Sequence, residues 1–321
     1  MGRSNLVAPW TQKYTNHLES MPASTHPITR DNWQAALGHH DRICDWAKFF
    51  ERELEHVGWN RILHDWLSRL LPGMSGAAGH AALRTASVVR NLIIEETAAR
   101  ITELGIAMGY WAGSFRKLPG ILGSNTSGTY TPLEALFHIK WQHKEQLPHF
   151  PSIDHSLSGL ERFSPFAGVI NLIKIPEASL VIISQITAAM SRVFLTNCQN
   201  QKKIAPFILA VVLPSALRSF TSHLEPAQAN ALLRYGWQFA GAMYAIYGRV
   251  NPVEEWAPSE DAQEELIDDA VASRNEYAVI FADACLREYA VQPDTIYLAA
   301  AREAISQLSD STDQRESIED Q

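Results

Sequence analysis

The sequence has few cysteines and no signature of a bound cofactor. Its three cysteines, Cys44, Cys198 and Cys285, are odd in number and far apart, so they form neither a disulfide framework nor a zinc pattern. The chain contains no GxGxxG turn, P-loop, HExxH or CxxC motif. The segment GMSGA departs from the GxSxG nucleophile elbow because Ala77 replaces the last glycine. We therefore expect no organic cofactor.

The chain also lacks a basic block and a long hydrophobic run. Its 27 Lys and Arg against 35 Asp and Glu give a net charge of -8, which argues against nucleic acid. The longest apolar stretch, residues 204–217, is too short to span a bilayer. The first residues contain no apolar core of a signal peptide. We expect a soluble, cytoplasmic protein that binds neither nucleic acid nor membranes.

Apolar residues recur at helical spacing through most of the chain, and no period-two alternation is sustained. The predicted helices cover residues 41–58, 60–73, two segments between 80 and 117, 175–197, 205–222, 226–249, 259–273, 275–290 and 294–308. The sequence predicts an all-α fold with one multi-helix domain over residues 1–308 and a buried central cavity. A disordered acidic tail is predicted over residues 309–321.

Glycine and alanine remove most side chains just before His80, in the segment PGMSGAAGH. Small residues let a ligand approach the imidazole closely, but they are equally typical of a helix-to-helix turn beside a core histidine. His26 and His223 also lie at the edges of apolar helices. Imidazoles at such positions can project into one shared cavity.

Five blocks, in this order, resemble the questin oxidase-like family across about residues 22–308. They are STHPITRDNWQAALG, LPGMSGAAGHAALRTASVVRNL, ELGIAMGYWAGSFRKLPG, SFTSHLEPAQANALL and ASRNEYAVIFADACLREYAVQPDTIYLAAAREAI. The resemblance implies a helical enzyme that oxidises aromatic polyketides in natural-product pathways. For at least some members it implies a non-haem iron held by several histidines and a carboxylated lysine.

Three histidines match the family's ligand histidines: His26, His80 and His223. Tyr277 stands where the family has a further histidine, and Ile280 stands where it has the lysine. Ser87 stands where the family often has another histidine. Isoleucine cannot ligate a metal, so the ligand set that the resemblance implies is incomplete.

We expect an O2-dependent oxidase that needs neither metal nor organic cofactor. An electron-rich substrate can pass electrons to O2 once His80 or His223 has removed a proton. Tyr277 would hydrogen-bond the substrate, unless it is a core aromatic residue. The remaining predicted substrate contacts are Arg84, Ser87, Trp111 and Ile280. Arg84 would stabilise the substrate anion, unless it forms a surface ion pair with Glu95 or Glu103.

Two other functions stay open. The first is an Fe(II) oxygenase of a polyketide hydroquinone or anthraquinone, with His26, His80 and His223 as ligands. The second is a non-catalytic member that binds a pathway intermediate. The expected partners are O2 and a small aromatic or heteroaromatic substrate, either a polyketide hydroquinone or a dihydro-azapteridine. Dehydrogenation or oxygen insertion, and a monomer or a homo-oligomer, are alternatives that the sequence leaves open.

Overall fold

The computed structural model describes most of the chain, and its regular structure is helical. It describes residues 7–15, 23–24, 26–123, 128–142, 152–176, 180–200, 204–253, 256 and 262–309. Within these ranges the only strand-like pairings are two isolated parallel bridges, Met74 with Arg116 and Tyr130 with Ile173. The predicted all-α fold is confirmed. The predicted acidic tail beyond Ser309 lies outside the described residues.

Helices of very different length follow one another along the chain. They are α1 (Val7–Thr15), α2 (Trp33–Ala36), α3 (Ile43–His56), α4 (Trp59–Leu70), α5 (His80–Ile94), α6 (Ala98–Gly113), α7 (Pro132–Leu136), α8 (Ile153–Ser158), α9 (Val181–Asn197), α10 (Ala205–Ala216), α11 (Arg218–Thr221), α12 (Pro226–Tyr247), α13 (Gln263–Ala272), α14 (Glu276–Val291) and α15 (Ile296–Ser309). Short 3₁₀ turns occupy His40–Arg42, Leu71–Gly73, Gly76–Gly79, Gly159–Arg162, Ser164–Asn171 and Cys198–Asn200. Over the described part, no helix is both long and apolar enough to cross a membrane.

Two predicted helices differ from the structure. The helix predicted over residues 205–222 is divided into α10 and α11, which Leu217 separates. Pro214 lies inside α10, lacks a backbone N–H and so removes one helical hydrogen bond close to this break. The helix predicted over residues 175–197 begins at Val181 instead, after an irregular segment at residues 174–176.

The core is centred on α10, whose residues from Pro206 to Ala216 are all buried. This helix packs against α5, α9, α12 and α14. A helix that is apolar on every side is stable in water only when other helices surround it. The sequence APFILAVVLPSA therefore determines the centre of the fold, and the amphipathic helices pack around it.

The helices α3 and α6 pack at unusually close range. A Cβ atom on Gly109 would lie 2.6 Å from the backbone nitrogen of Ala47. Two further glycines of α6, Gly105 and Gly113, also face α3. Because these three glycines recur at every fourth position, they leave a smooth stripe on one helix face. Side chains on this stripe would force the two helices apart.

A buried carboxylate connects four of the central helices. Glu288 on α14 is fully buried and accepts hydrogen bonds from Arg218 at 2.9 Å (Nε to Oε1) and 2.7 Å (Nη2 to Oε2). The hydroxyls of Ser184 on α9 and Ser215 on α10 each donate to it at 2.9 Å. A buried charge is tolerated when it is paired and its remaining lone pairs are bonded, as they are here.

A left-handed turn leads into α5. Ala77 and Ala78 have φ angles of 49° and 53°, and Gly79 follows at 87°. Such angles cost an L-residue other than glycine roughly 1–2 kcal/mol. Packing enforces the turn, since a Cβ on Gly76 would lie 2.3 Å from the carbonyl oxygen of Ser114. A strained backbone that its surroundings hold in place is a common property of functional sites.

Replacing Glu288 with alanine should lower the free energy of unfolding by about 3–5 kcal/mol, because Arg218 then lacks its buried partner. Urea denaturation followed by circular dichroism measures this loss. Lys48→Ala is the control, because Lys48 and Glu51 form an ion pair in which both side chains are about half exposed. We expect the control to change stability by less than about 1 kcal/mol. Equal losses in both variants would contradict the importance of the Glu288 carboxylate.

Replacing Gly79 with alanine should destabilise the protein by more than about 1 kcal/mol. The alanine would have to keep the left-handed backbone conformation of Gly79, and its methyl group would lie 2.7 Å from the ring of Phe239. Gly58→Ala is the matched control, because Gly58 has φ -55° and a Cβ there meets nothing within 4 Å. Thermal unfolding of both variants checks the prediction. A similar melting temperature for the two would show that the turn is not strained.

Candidate functional site

A cavity of about 100 Å³ lies between α5, α10, α11 and α14. It is lined by Leu83, Ala86, Ser87, Arg90, Val212, Ala216, Ser219, Ile280, Asp283 and Arg287. The structure thus brings together Ser87 and Ile280, two of the predicted substrate contacts. Sites for drug-sized ligands enclose roughly 300–1,000 Å³, so this volume accommodates one end of such a molecule.

The charged wall of the cavity consists of one carboxylate between two guanidinium groups. Asp283 Oδ2 accepts hydrogen bonds from Arg90 Nη1 at 3.0 Å and from Arg287 Nε at 2.9 Å. Burial raises the pKa of Asp283, but the neighbouring Arg287 and Arg90 outweigh it and hold that pKa below its usual value. Asp283 is therefore ionised at neutral pH, and the two arginines leave the wall with an excess positive charge.

His80 begins α5 and lies one turn before the cavity residue Leu83. Its Nδ1 is 2.9 Å from the carbonyl oxygen of Ala77 in the left-handed turn. Because a carbonyl oxygen only accepts hydrogen bonds, this contact requires the proton on Nδ1 of the neutral ring. Nε2 is then left as a hydrogen-bond acceptor, and the side chain is only partly buried. The turn holds an imidazole whose free nitrogen can take a proton.

His223 lies in an apolar environment beyond the other side of the cavity, four residues after Ser219. Its ring is 5.2 Å from that of Trp59, and its buried Nε2 has no hydrogen-bond partner among the described residues. Burial lowers the pKa of His223. Trp59 in turn donates to Glu96, just after the end of α5. Since α5 is about 20 Å long, His223 and His80 lie towards opposite ends of it.

The sequence predicted that His26, His80, His223 and Tyr277 converge on one buried cavity, but none of the four is among the residues that line this cavity or the larger one between α7, α9 and α15. His26 is exposed, and its backbone N–H donates to Asp45 near the start of α3. Within the described part of the chain, no three His, Cys, Asp or Glu side chains are grouped so that they could hold a metal ion. The described residues therefore do not fit the iron site that the resemblance implies.

Three further residues that were predicted to contact the substrate have a structural role instead: one forms a surface ion pair and two pack in or against the core. Arg84 forms the surface ion pair that was the alternative interpretation, with its Nε 2.8 Å from Glu103 Oε1. Trp111 is fully buried, and its indole N–H donates to the carbonyl oxygen of Gly73 at 3.1 Å, so it is a core residue. Tyr277 packs against the core, and burial raises the pKa of its phenol.

A second cavity, of about 230 Å³, contains none of the predicted site residues. It lies between α7, α9 and the start of α15, and is lined by Thr131, Pro132, Leu133, Ser184, Gln185, Ala188, Ala189, Arg192, Gln292, Asp294 and Tyr297. Its charged groups, Arg192 and Asp294, face each other at 3.3 Å. This cavity is therefore larger but electrically balanced.

The charged residues of the first cavity were not predicted from the sequence; they are Arg90, Asp283 and Arg287. Their spacing nevertheless carried a signal. Arg90 lies three positions after Ser87, and Asp283 lies three positions after Ile280, so each shares a helix face with a predicted site residue. Following these two faces for one further turn would have identified Arg90 and Asp283, and a second turn along α14 reaches Arg287.

Comparison with known proteins relates the first part of the chain to a family. No curated protein matches the sequence. The family model described as Questin oxidase-like matches residues 5–87. This range contains the first of the five blocks and most of the second, with His26, His80 and Ser87, whereas the other three blocks lie outside it. Over residues 5–87 the chain is therefore similar to the Questin oxidase-like family.

Proposed function

We propose that the protein is an O2-dependent oxidase of a reduced, electron-rich aromatic or heteroaromatic compound, and that it needs neither a metal nor an organic cofactor. The substrate loses two electrons and two protons, and O2 gains them to form hydrogen peroxide. A hydroquinone thereby becomes a quinone. The family match supports an oxidase, and the geometry around His80 supports the cofactor-free mechanism.

The observation that carries the proposal is the left-handed turn that holds His80. Ala77 and Ala78 adopt costly backbone angles, and the carbonyl oxygen of Ala77 fixes the ring through Nδ1. A histidine with one nitrogen held by an acceptor and the other nitrogen free is arranged as a general base. An ordinary helix-to-helix turn gains nothing from this strain, whereas a base gains a fixed orientation.

Deprotonation makes the substrate easier to oxidise. Transfer of a hydroxyl proton to His80 Nε2 leaves a substrate anion, which gives up electrons more readily than the neutral molecule. The apolar side chains of Leu83, Ala86 and Val212 line the adjoining cavity and exclude water from the reacting end of the substrate. The protein then contributes position, proton removal and a dry environment.

The substituted ligand positions also favour this mechanism over iron chemistry. Ile280 occupies the position of the lysine that the resemblance implies, and its side chain faces the cavity. Among the described residues, neither His80 nor His223 belongs to a group of three or more His, Cys, Asp or Glu side chains that could hold a metal ion. A tight metal site at these residues would need ligands that the described part of the chain does not bring together.

His80→Gln should reduce oxygen consumption by about 10²- to 10⁴-fold, because glutamine can form hydrogen bonds but cannot accept the proton. An oxygen electrode measures the rate with a hydroxylated anthrahydroquinone or a dihydro-azapteridine, after subtraction of uncatalysed oxidation. His56→Gln is the control, because His56 is exposed at the end of α3. An unchanged rate in His80→Gln, with the same fold by circular dichroism, would contradict the role of His80. Absence of turnover with every reduced substrate would favour the binding protein instead.

Chelation should leave the activity unchanged. Protein dialysed against EDTA and untreated protein are expected to consume oxygen at the same rate, because the reaction requires only the substrate, His80 and O2. Metal content measured by mass spectrometry provides the control that the dialysis was complete. Loss of turnover after dialysis, with recovery when Fe(II) is added, would contradict the cofactor-free mechanism and support the iron oxygenase.

A further inference from the structure

We propose that Arg90 and Arg287 form an anion-binding wall in the cavity, and that the substrate is an acidic aromatic compound that binds there as its anion. This inference rests on the proposed function, since it concerns the same cavity and adds the chemical class of the substrate. It replaces Arg84, which the sequence predicted for this role and which is paired with Glu103 on the surface.

The charges around the cavity leave one positive charge without compensation. The lining contains two guanidinium groups, Arg90 and Arg287, and one carboxylate, Asp283. Immediately behind the lining, Arg218 and Glu288 form a buried pair whose charges cancel. The cavity therefore has a net positive charge, although the chain as a whole carries a net charge of -8. A positive concavity on an acidic protein attracts small anions selectively.

Most hydrogen-bond donors of the two arginines are not used by the part of the protein that the structure describes. A guanidinium group has five N–H donors. Within the described residues, Arg90 and Arg287 each donate one hydrogen bond, and both bonds end on the same oxygen, Asp283 Oδ2. The arginine side chains are 41% and 30% exposed, so a ligand from solvent can reach them. This arrangement suits a planar oxyanion, which can accept two parallel N–H bonds.

The other polar groups of the cavity leave the arginines as its main donors. The hydroxyl of Ser87 donates to the carbonyl oxygen of Leu83, and that of Ser219 donates to the carbonyl oxygen of Ala216. Both hydroxyl protons are thus occupied within their own helices. The rest of the lining, apart from Asp283, is apolar. An anion in the cavity must therefore bind to the guanidinium groups.

This wall also assists the proton transfer in the proposed reaction. The ionised acidic group stays bound to the arginines while a hydroxyl proton at the other end of the substrate moves to His80, and the fixed positive charge lowers the cost of the added negative charge. The anion then gives two electrons to O2, which takes up the second proton of the substrate and the proton held by His80 to form hydrogen peroxide. Arg90 and Arg287 act on the substrate directly, whereas Asp283 positions the two guanidinium groups.

The test uses two naphthoquinones that differ in one acidic group. 2-Hydroxy-1,4-naphthoquinone is ionised at neutral pH and stable in air, and 1,4-naphthoquinone is its neutral counterpart. Binding to the full chain is measured by calorimetry for the parent and for Arg90→Gln and Arg287→Gln. We expect each variant to bind the hydroxyquinone about 10-fold more weakly or worse, since a charged hydrogen bond is lost. Binding of the neutral quinone should be weak and unchanged.

Arg84→Gln is the matched control, because it removes the same charge from the same helix outside the cavity. It should bind the hydroxyquinone as the parent does. Equal affinity of the parent for both quinones, or unchanged affinity in the two cavity variants, would overturn the anion-binding wall. If the glutamine variants do not fold, the affinity of the parent for the hydroxyquinone is measured at low and high salt instead. Affinity for the hydroxyquinone that is equal at low and high salt would also overturn it.

Failure of this inference and failure of the proposed function give different results. If the hydroxyquinone binds through the arginines but no reduced substrate consumes oxygen, the anion site stands and the oxidase does not. If oxygen is consumed at the parent rate by Arg90→Gln and Arg287→Gln, the oxidase stands and the anion site does not.

Discussion

The buried pair of Arg218 and Glu288 is the interaction on which the cavity depends. Arg218 directly precedes Ser219, and Glu288 directly follows Arg287, so each partner of the pair is the sequence neighbour of a cavity residue. Serine hydroxyls from α9 and α10 complete the hydrogen bonds of the carboxylate. A pair of charges in a low-dielectric core tolerates little displacement. The Arg218–Glu288 pair holds α11 and α14 together on the sides that face away from the cavity. The cavity therefore keeps its shape.

The helix α5 carries the groups of the proposed reaction in order along its length. Its first residue is His80, its middle contributes Ser87 to the cavity, and Arg90 closes the cavity near the C-terminal end. The helix α14 faces it with Ile280, Asp283 and Arg287, which share one side of that helix. The proposed proton acceptor, the apolar part of the cavity and the proposed anion-binding wall thus follow one another within a few helical turns. This order matches an oxidation that begins with ionisation of the substrate.

The fold was largely predictable from the sequence, and the site only in part. Apolar periodicity located α3 to α6, α9, α10 and α12 to α15 because burial of one helix face is a local property of the sequence. The pairing of Arg90 with Asp283 was not predictable in this way, because the two residues are 193 positions apart. Trp111 was misassigned for a similar reason. A buried indole and a ligand-binding indole have the same local sequence, and only the tertiary contact with Gly73 distinguishes them.

The left-handed turn before His80 limits which residues can occupy positions 77 and 78. Besides glycine, asparagine and aspartate adopt such angles most readily, because their short polar side chains can bond locally. Ala78 is buried, where an amide or carboxylate would lose its hydration without a partner. Glycine would fit, but it would increase the conformational entropy of the unfolded chain. Alanine tolerates the burial and restricts the unfolded chain more than glycine does. Few residue types should therefore be accepted at these two positions, even though neither side chain takes part in chemistry.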